Sequence, residues 1–263
     1  MIKKNNVVRL ILIFTLIMGA SSLVVMLNGT LRARNENYIT IDAETMELVQ
    51  KNGPKEGDPI AVVDTTLGEF RFVLYPQYSP QAVGNFTELA KQGYYDGTYV
   101  FHSESGAYSA MGAPNKDGTA KDDSHELVER ELHQNLWPFK GAVLVMNTTI
   151  KQNLKQKFFG GGTYFNGSRF MVLNTVEFND EFRQELLDAS ESRELGEAFI
   201  DMGGVPNFSQ QMTVIGQTYS GMDVVEKLAA LETKNTGAYK YPAEDVMIRS
   251  VTIGEYTGEE SEK

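Results

Sequence analysis

Cysteine is absent from this 263-residue chain, which excludes disulfides, thiolate catalysis and Cys-ligated zinc and leaves the redox compartment open. Basic charge is scarce: 24 Lys and Arg face 35 Asp and Glu, giving a net charge of -11 and a pI near 4.9. The cations form no stripe. Gripping a phosphate backbone requires one, so nucleic acid is not an expected partner. Histidine is limited to three residues. His125 and His133 stand near Glu126, Glu129 and Glu131, but there is no His-Glu-x-x-His motif and no EF-hand spacing, so no metal or cofactor is expected. Gly160 to Gly162 precede no Gly-Lys-Ser/Thr sequence and make no phosphate loop. No internal repeat points to a solenoid or propeller.

At 41% hydrophobic, the chain can bury one sizeable barrel-type core or two small ones. Leu10 to Leu27 carries no charge and follows Lys3, Lys4 and Arg9. Such a length is at the lower limit for crossing a bilayer. Gly19-Ala20-Ser21-Ser22 is a poor cleavage site because apolar residues resume at Leu23, so an uncleaved anchor is expected, with the N-terminus cytoplasmic and the domain on the extracytoplasmic side of the cell membrane. The expected organisation is an anchor over 1–27, a juxtamembrane linker over 28–58, a folded domain over 59–255 and an acidic tail over 256–263.

Ile60 to Tyr75 comprises two strand-like runs around Gly68, a hairpin signature. Ser79 and Pro80 then open a helix with Val83, Phe86, Leu89 and Ala90 at helical spacing, and Gly93 stops it. The next segment is Gly93-Tyr94-Tyr95-Asp96-Gly97-Thr98-Tyr99-Val100-Phe101-His102.

This succession resembles the opening third of the cyclophilin family of peptidyl-prolyl isomerases, whose helix, Gly-Tyr-Tyr-Asp-Gly turn and Phe-His-Arg strand follow in that order. Lys140 to Asn147, Asn166-Gly167-Ser168-Arg169-Phe170 and Val214 to Val225 continue the likeness, with Val246 to Ile253 as a final strand. The resemblance implies a mainly β fold: a closed eight-stranded antiparallel barrel with two capping helices and a peptide groove on its outer wall.

The same resemblance places the family's catalytic arginine on Ser103. It places the groove aromatic on Tyr108, the groove glutamine on Met111 and the peptide-binding asparagine on Asn147. A second glutamine becomes Arg169, and the proline-pocket phenylalanine becomes Met171. The rim tryptophan and leucine fall on Asn207 and Phe208, and a rim histidine on Met212. Phe101 and His102 complete the peptide-binding set; His102 is read as a barrel-wall residue rather than a base. Arg169, one alternation from Met171, is a candidate to supply the lost guanidinium, or else a solvated strand charge. Trp137 is read as packing.

Two insertions stand out. Residues 148–165 are basic and aromatic, either a groove-edge flap or a surface hairpin. Residues 174–205 place Phe178, Phe182, Leu186, Leu195 and Phe199 at helical spacing on an acidic amphipathic helix or helix pair. The expectation is a monomeric, membrane-tethered isomerase-like protein acting on proline-containing segments of exported polypeptides, reduced in activity because Ser103 replaces arginine. The alternative is a peptide-binding module without turnover.

Overall fold

The computed structural model describes residues 37–119, 127–235 and 239–258. Its contacts define two units, one spanning Ile39–Thr149 and Tyr164–Lys263, the other holding Ile150–Thr163. The elements are β1 (Pro59–Thr65), β2 (Gly68–Leu74), α1 (Pro80–Lys91), β3 (Tyr99–Glu104), β4 (Tyr108–Ala113), β5 (Val128–Glu129), β6 (Ala142–Lys151), α2 (Leu154–Phe159), β7 (Thr163–Leu173), α3 (Asp180–Ala189), α4 (Arg193–Met202), β8 (Thr213–Ser220), α5 (Met222–Ala229), β9 (Thr233–Asn235), β10 (Lys240–Pro242) and β11 (Ile248–Glu255).

The larger unit is built on a nine-stranded antiparallel sheet in the order β11-β1-β2-β8-β6-β7-β4-β3, with β5 added beside β7. This corrects the closed eight-stranded barrel. The sheet curls into a half-barrel whose end strands, β3 and β11, share no ladder. They meet through an isolated Tyr99–Met247 bridge, where Val100 N–H donates to the Val246 carbonyl and Ile248 N–H to the Thr98 carbonyl. Two register irregularities in β3, at Tyr99/Val100 and Val100/His102, interrupt its pairing and bend it away from a continuous seam.

Alternation in β2 sends Phe70, Phe72 and Leu74 to the concave face, where all three are buried. There Phe86 of α1 lies 5.7 Å from Phe72, 5.2 Å from Tyr95 and 5.4 Å from Phe170 by ring centroids. Fully burying each such ring contributes about 1.5–3 kcal/mol. Two helices cap this core, α1 and α5, as the sequence suggests. Ser79 occupies the N-cap of α1, but its hydroxyl bonds the Val214 carbonyl instead of the helix. The exposed amides are satisfied by Glu131, whose carboxylate accepts from Gln81 N–H at 3.2 Å and Ala82 N–H at 2.8 Å. Before α5, Gly221 adopts φ 78°, and a Cβ there would sit 2.3 Å from the Glu69 carbonyl oxygen, so only glycine fits the hairpin this closely.

The acidic insertion is a helix pair. Asn179 caps α3 and Ser192 caps α4, and their apolar faces meet Trp137 and Phe139 in a separate cluster. Trp137 is packed there as expected, 2% exposed, its indole donating to the Gln134 carbonyl. Residues 39–52, read from sequence as part of a linker, are tied onto this side. Buried Gln50 exchanges hydrogen bonds with the Trp137 backbone and donates to Gln217, while Asp42 and Glu47 amides donate to Gln134 and Asn135.

In the smaller unit, α2 opens with a capping box in which Asn153 and Gln156 each bond the other's backbone N–H at 2.9 Å. Gln152 donates to the Gly161 carbonyl. Among the described residues no helix is long and apolar enough to cross a membrane. The expected anchor at 1–27 lies outside the described residues.

Candidate functional site

The convex face of β3, β4 and β7 carries the candidate site. Cross-strand partners share a face, so the pairs His102–Ala110, Ala110–Met171, Glu104–Tyr108 and Tyr108–Leu173 define its outer rows. Ser103–Ser109, Ser109–Val172 and Met111–Phe170 define the inner ones. Between Val100–Met111 and His102–Ala110 the β3 strand has one extra residue, Phe101. This bulge puts Phe101 and His102 both on the outer side and returns Ser103 to the interior.

Ser103 is therefore not on the groove wall. It is fully buried, and its hydroxyl donates to the Leu228 and Ala229 carbonyls at 2.9 and 3.1 Å, closing the end of α5. Plain alternation from Phe101 would have kept Ser103 outside; the bulge reverses it. Met111 is likewise corrected. It is fully buried in the concave core beside Phe170, on the face opposite the groove.

The other expected residues gather on the outer face. Phe101 and Met171 are buried in its apolar cluster, with Tyr108, Phe208 and Met212 half-buried at the surface. Tyr108 lies 5.3 Å from both His102 and Phe208 by ring centroids. Arg169 is half-buried two residues along β7 from Met171, so the two side chains share a face. Its guanidinium donates to the Gly118 carbonyl at 2.6 Å. Gly118, at φ 77°, is pressed against Phe101 and Tyr239, and a Cβ would lie 2.6 Å from the Phe101 ring. The site's only guanidinium on β7 thus abuts its aromatic floor.

The rim is held by one residue. Asn147 donates to the Gln211 carbonyl at 2.8 Å, and the Gln211 side chain donates to the Asn207 carbonyl. The Asn147 side-chain oxygen is buried and has no hydrogen-bond partner among the described residues. Asn207 itself is exposed and borders a cleft of about 270 Å³ with Phe182, Leu186 and Glu191 of the helical insertion. The insertion therefore flanks the rim at Asn207 while Phe208 turns toward Tyr108.

His102 has a polar setting. Its Nδ1 accepts the Lys240 backbone N–H at 2.8 Å, and Nε2 lies 3.8 Å from Glu104 Oε2. Lys240 Nζ pairs with Glu104 Oε1. Burial lowers the His102 pKa from its usual value; Glu104 opposes the shift and Lys240 adds to it. The ring is neutral near pH 7, with its proton on Nε2. Burial also raises the Tyr108 pKa, helped by Glu104 and Tyr239, so Tyr108 remains a phenol.

Sequence reasoning missed Tyr239, Glu104 and Lys240. Tyr239 meets Phe101 at 5.0 Å and His102 at 5.8 Å. Its segment follows α5 and returns across β3 as β10, a long-range contact with no local pattern. Glu104 was legible in principle, two residues beyond His102 on the same face. His133 stands away from this cluster, its ring tilted against Tyr78 with centroids 4.5 Å apart and its pKa lowered by burial, and His125 lies outside the described residues. Among the described residues no three His, Asp or Glu side chains are grouped to hold a metal.

A model of the family described as "Cyclophilin type peptidyl-prolyl cis-trans isomerase/CLD" matches residues 60–172. A "Putative peptidyl-prolyl cis-trans isomerase" of Staphylococcus aureus is 29% identical over 206 residues, covering 76% of this chain and 94% of that protein. A "Putative bifunctional phosphatase/peptidyl-prolyl cis-trans isomerase" of Streptococcus pyogenes is 28% identical over 212 residues, 79% of this chain; this chain spans 40% of that longer relative. In architecture the chain is similar to a cyclophilin type peptidyl-prolyl cis-trans isomerase from Cryptosporidium parvum, with a TM-score of 0.53 and 18% identity over 76% of this chain and 99% of the other. That protein has also been crystallised in the presence of the dipeptide Ala-Pro.

Proposed function

We propose, from the match of residues 60–172 to the cyclophilin-type family model, that the chain binds proline-containing segments of exported polypeptides on its outer β3–β4–β7 face and isomerises their prolyl bonds slowly. The observation that carries this reading is the shared face of Met171, Tyr108, Phe208 and Met212 with the Arg169 guanidinium. The apolar side chains suit a pyrrolidine ring, and methionine adapts to irregular shapes.

Rotation about a prolyl amide faces a barrier of about 18–20 kcal/mol because conjugation stiffens the C–N bond. Twisting localises a lone pair on the prolyl nitrogen, and a donor aimed there stabilises the twisted state more than the planar one. Two donors share the outer face: Arg169, already bonded to the Gly118 carbonyl, and the neutral His102 Nε2–H facing Glu104. Neither is a free guanidinium. That engagement supports reduced turnover, and it also favours the second reading, a binding module without catalysis.

The uncharged Leu10 to Leu27 segment, preceded by Lys3, Lys4 and Arg9, supports a membrane tether with the domain on the extracytoplasmic side. The test is a protease-coupled isomerisation assay and fluorescence binding of a proline peptide with the full chain in detergent. Acceleration that falls about 10²-fold in Arg169→Ala establishes the arginine as the donor. Equal rates in parent and variant remove Arg169 from the mechanism, and binding without acceleration selects the non-catalytic module.

A further inference from the structure

The helix α2 is amphipathic in the wrong sense for a piece of a folded domain. Leu154 and Phe158, one turn apart, are 74% and 77% exposed, whereas polar Gln156 is the half-buried residue between them. At 100° per residue Leu154 and Phe158 point together, Gln156 points opposite, and exposed Lys155 and Lys157 flank the apolar pair on either side. Residues 150–163 contain three lysines and no acid, in a chain of net charge -11.

We propose that α2 docks on an anionic lipid surface, with Leu154 and Phe158 seated at the boundary between headgroups and acyl chains. Lysines beside an apolar pair can lay their methylenes along it and hold their ammonium groups among lipid phosphates. Charge selects the occupant: a lipid surface rich in phosphate complements this basic patch, while the acidic body is repelled from the same surface. The chain also supplies a means of bringing the patch there, since Leu10 to Leu27 is long enough to reach across a bilayer and lies outside the described residues. The smaller unit would then serve as a second, reversible foothold beside the tether, independent of whether the groove catalyses. One apolar pair with a basic flank binds membranes weakly by itself, so its role is to orient a domain that is already tethered.

The absence of native cysteine makes the test direct. Single variants F158C and L154C, with K55C as an exposed reference on the larger unit, are spin-labelled in the full chain and reconstituted into bilayers of phosphatidylcholine with or without phosphatidylglycerol. Docking requires oxygen to collide with labels 154 and 158 more than a water-soluble nickel chelate does in anionic bilayers, with the reverse at 55. Adding K155Q/K157Q lowers the docked-to-free ratio about 30-fold, taking each lysine as a near-surface charge, without changing the thermal melt or turnover of a soluble proline peptide. Labels at 154 and 158 as water-exposed as the one at 55 in both lipids overturn the proposal. So does immobilisation by a proline peptide in the absence of lipid, which would make the segment a peptide flap.

Discussion

The two faces of one three-stranded patch differ more than the sequences of its strands do. On the concave side of β3, β4 and β7, Ser103, Ser109, Met111 and Phe170 are all 0% exposed, and the Ser103 hydroxyl is spent on helix-end carbonyls. On the convex side, His102, Tyr108 and Arg169 carry polar groups beside Met171, with His102 and Arg169 bonded to backbone groups of Lys240 and Gly118. Neighbouring residues thus have opposite fates, and a single-residue bulge decides which is which. A substitution placed one residue off does not weaken the site; it damages the core.

The largest contrast is predicted for arginine placed at either position. Ser103→Arg forces an unpaired charge into the interior at a cost of roughly 3–5 kcal/mol, with overpacking added, and brings no isomerase activity. His102→Arg stays at the outer face, folds, and raises turnover. Urea denaturation and the coupled assay on both variants check this, and a folded, more active Ser103→Arg would reverse the assignment of faces.

A smaller contrast separates Phe170 from Met171. Phe170→Ala removes a ring packed against Phe86 and Tyr95 and costs roughly 3–5 kcal/mol. Met171→Ala falls at the low end of about 2–5 kcal/mol, because half-buried neighbours can close on the gap, but weakens proline-peptide binding. Denaturation midpoints and peptide titrations separate the two. Equal losses of affinity at both positions would mean that the groove is read through the core.

The smallest effect is a pH dependence. Burial lowers the folded-state pKa of His102, so the unfolded chain takes up the proton first. Stability is fully present above about pH 6.5, the ordinary histidine value, and is lost as pH falls from there through the folded-state pKa. His133 contributes in the same direction. His102→Gln should therefore flatten, without abolishing, the fall of the urea midpoint in acid, and Ser103→Ala should leave its slope unchanged.

Much of this fold was legible because its signals are local. The β1–β2 hairpin, the Pro80 helix start and the Gly93 stop each depend on residues within a few positions of one another, and so do both helices of the insertion. The seam between β3 and β11, the Glu131 cap on α1 and the Gln50 dock on Trp137 join residues 49 to 148 positions apart or more, and nothing local announces them. In the candidate site, the apolar set of Tyr108, Met171, Phe208 and Met212 was readable from the family pattern. Ser103 and Met111 were placed in the groove by the family pattern alone, which does not say which face a residue takes in this chain's own strand pairing, and Tyr239 was missed because its partners lie across a chain reversal.

By itself the sequence determined a mainly β cyclophilin-like fold, since hydrophobic period, turn glycines and helix caps act over a few residues. Tertiary structure alone decided which side chains face the groove. A strand reverses its faces with every residue, so one bulge at Phe101, specified only by pairing with β4, moved Ser103 into the core and left His102 on the outer face.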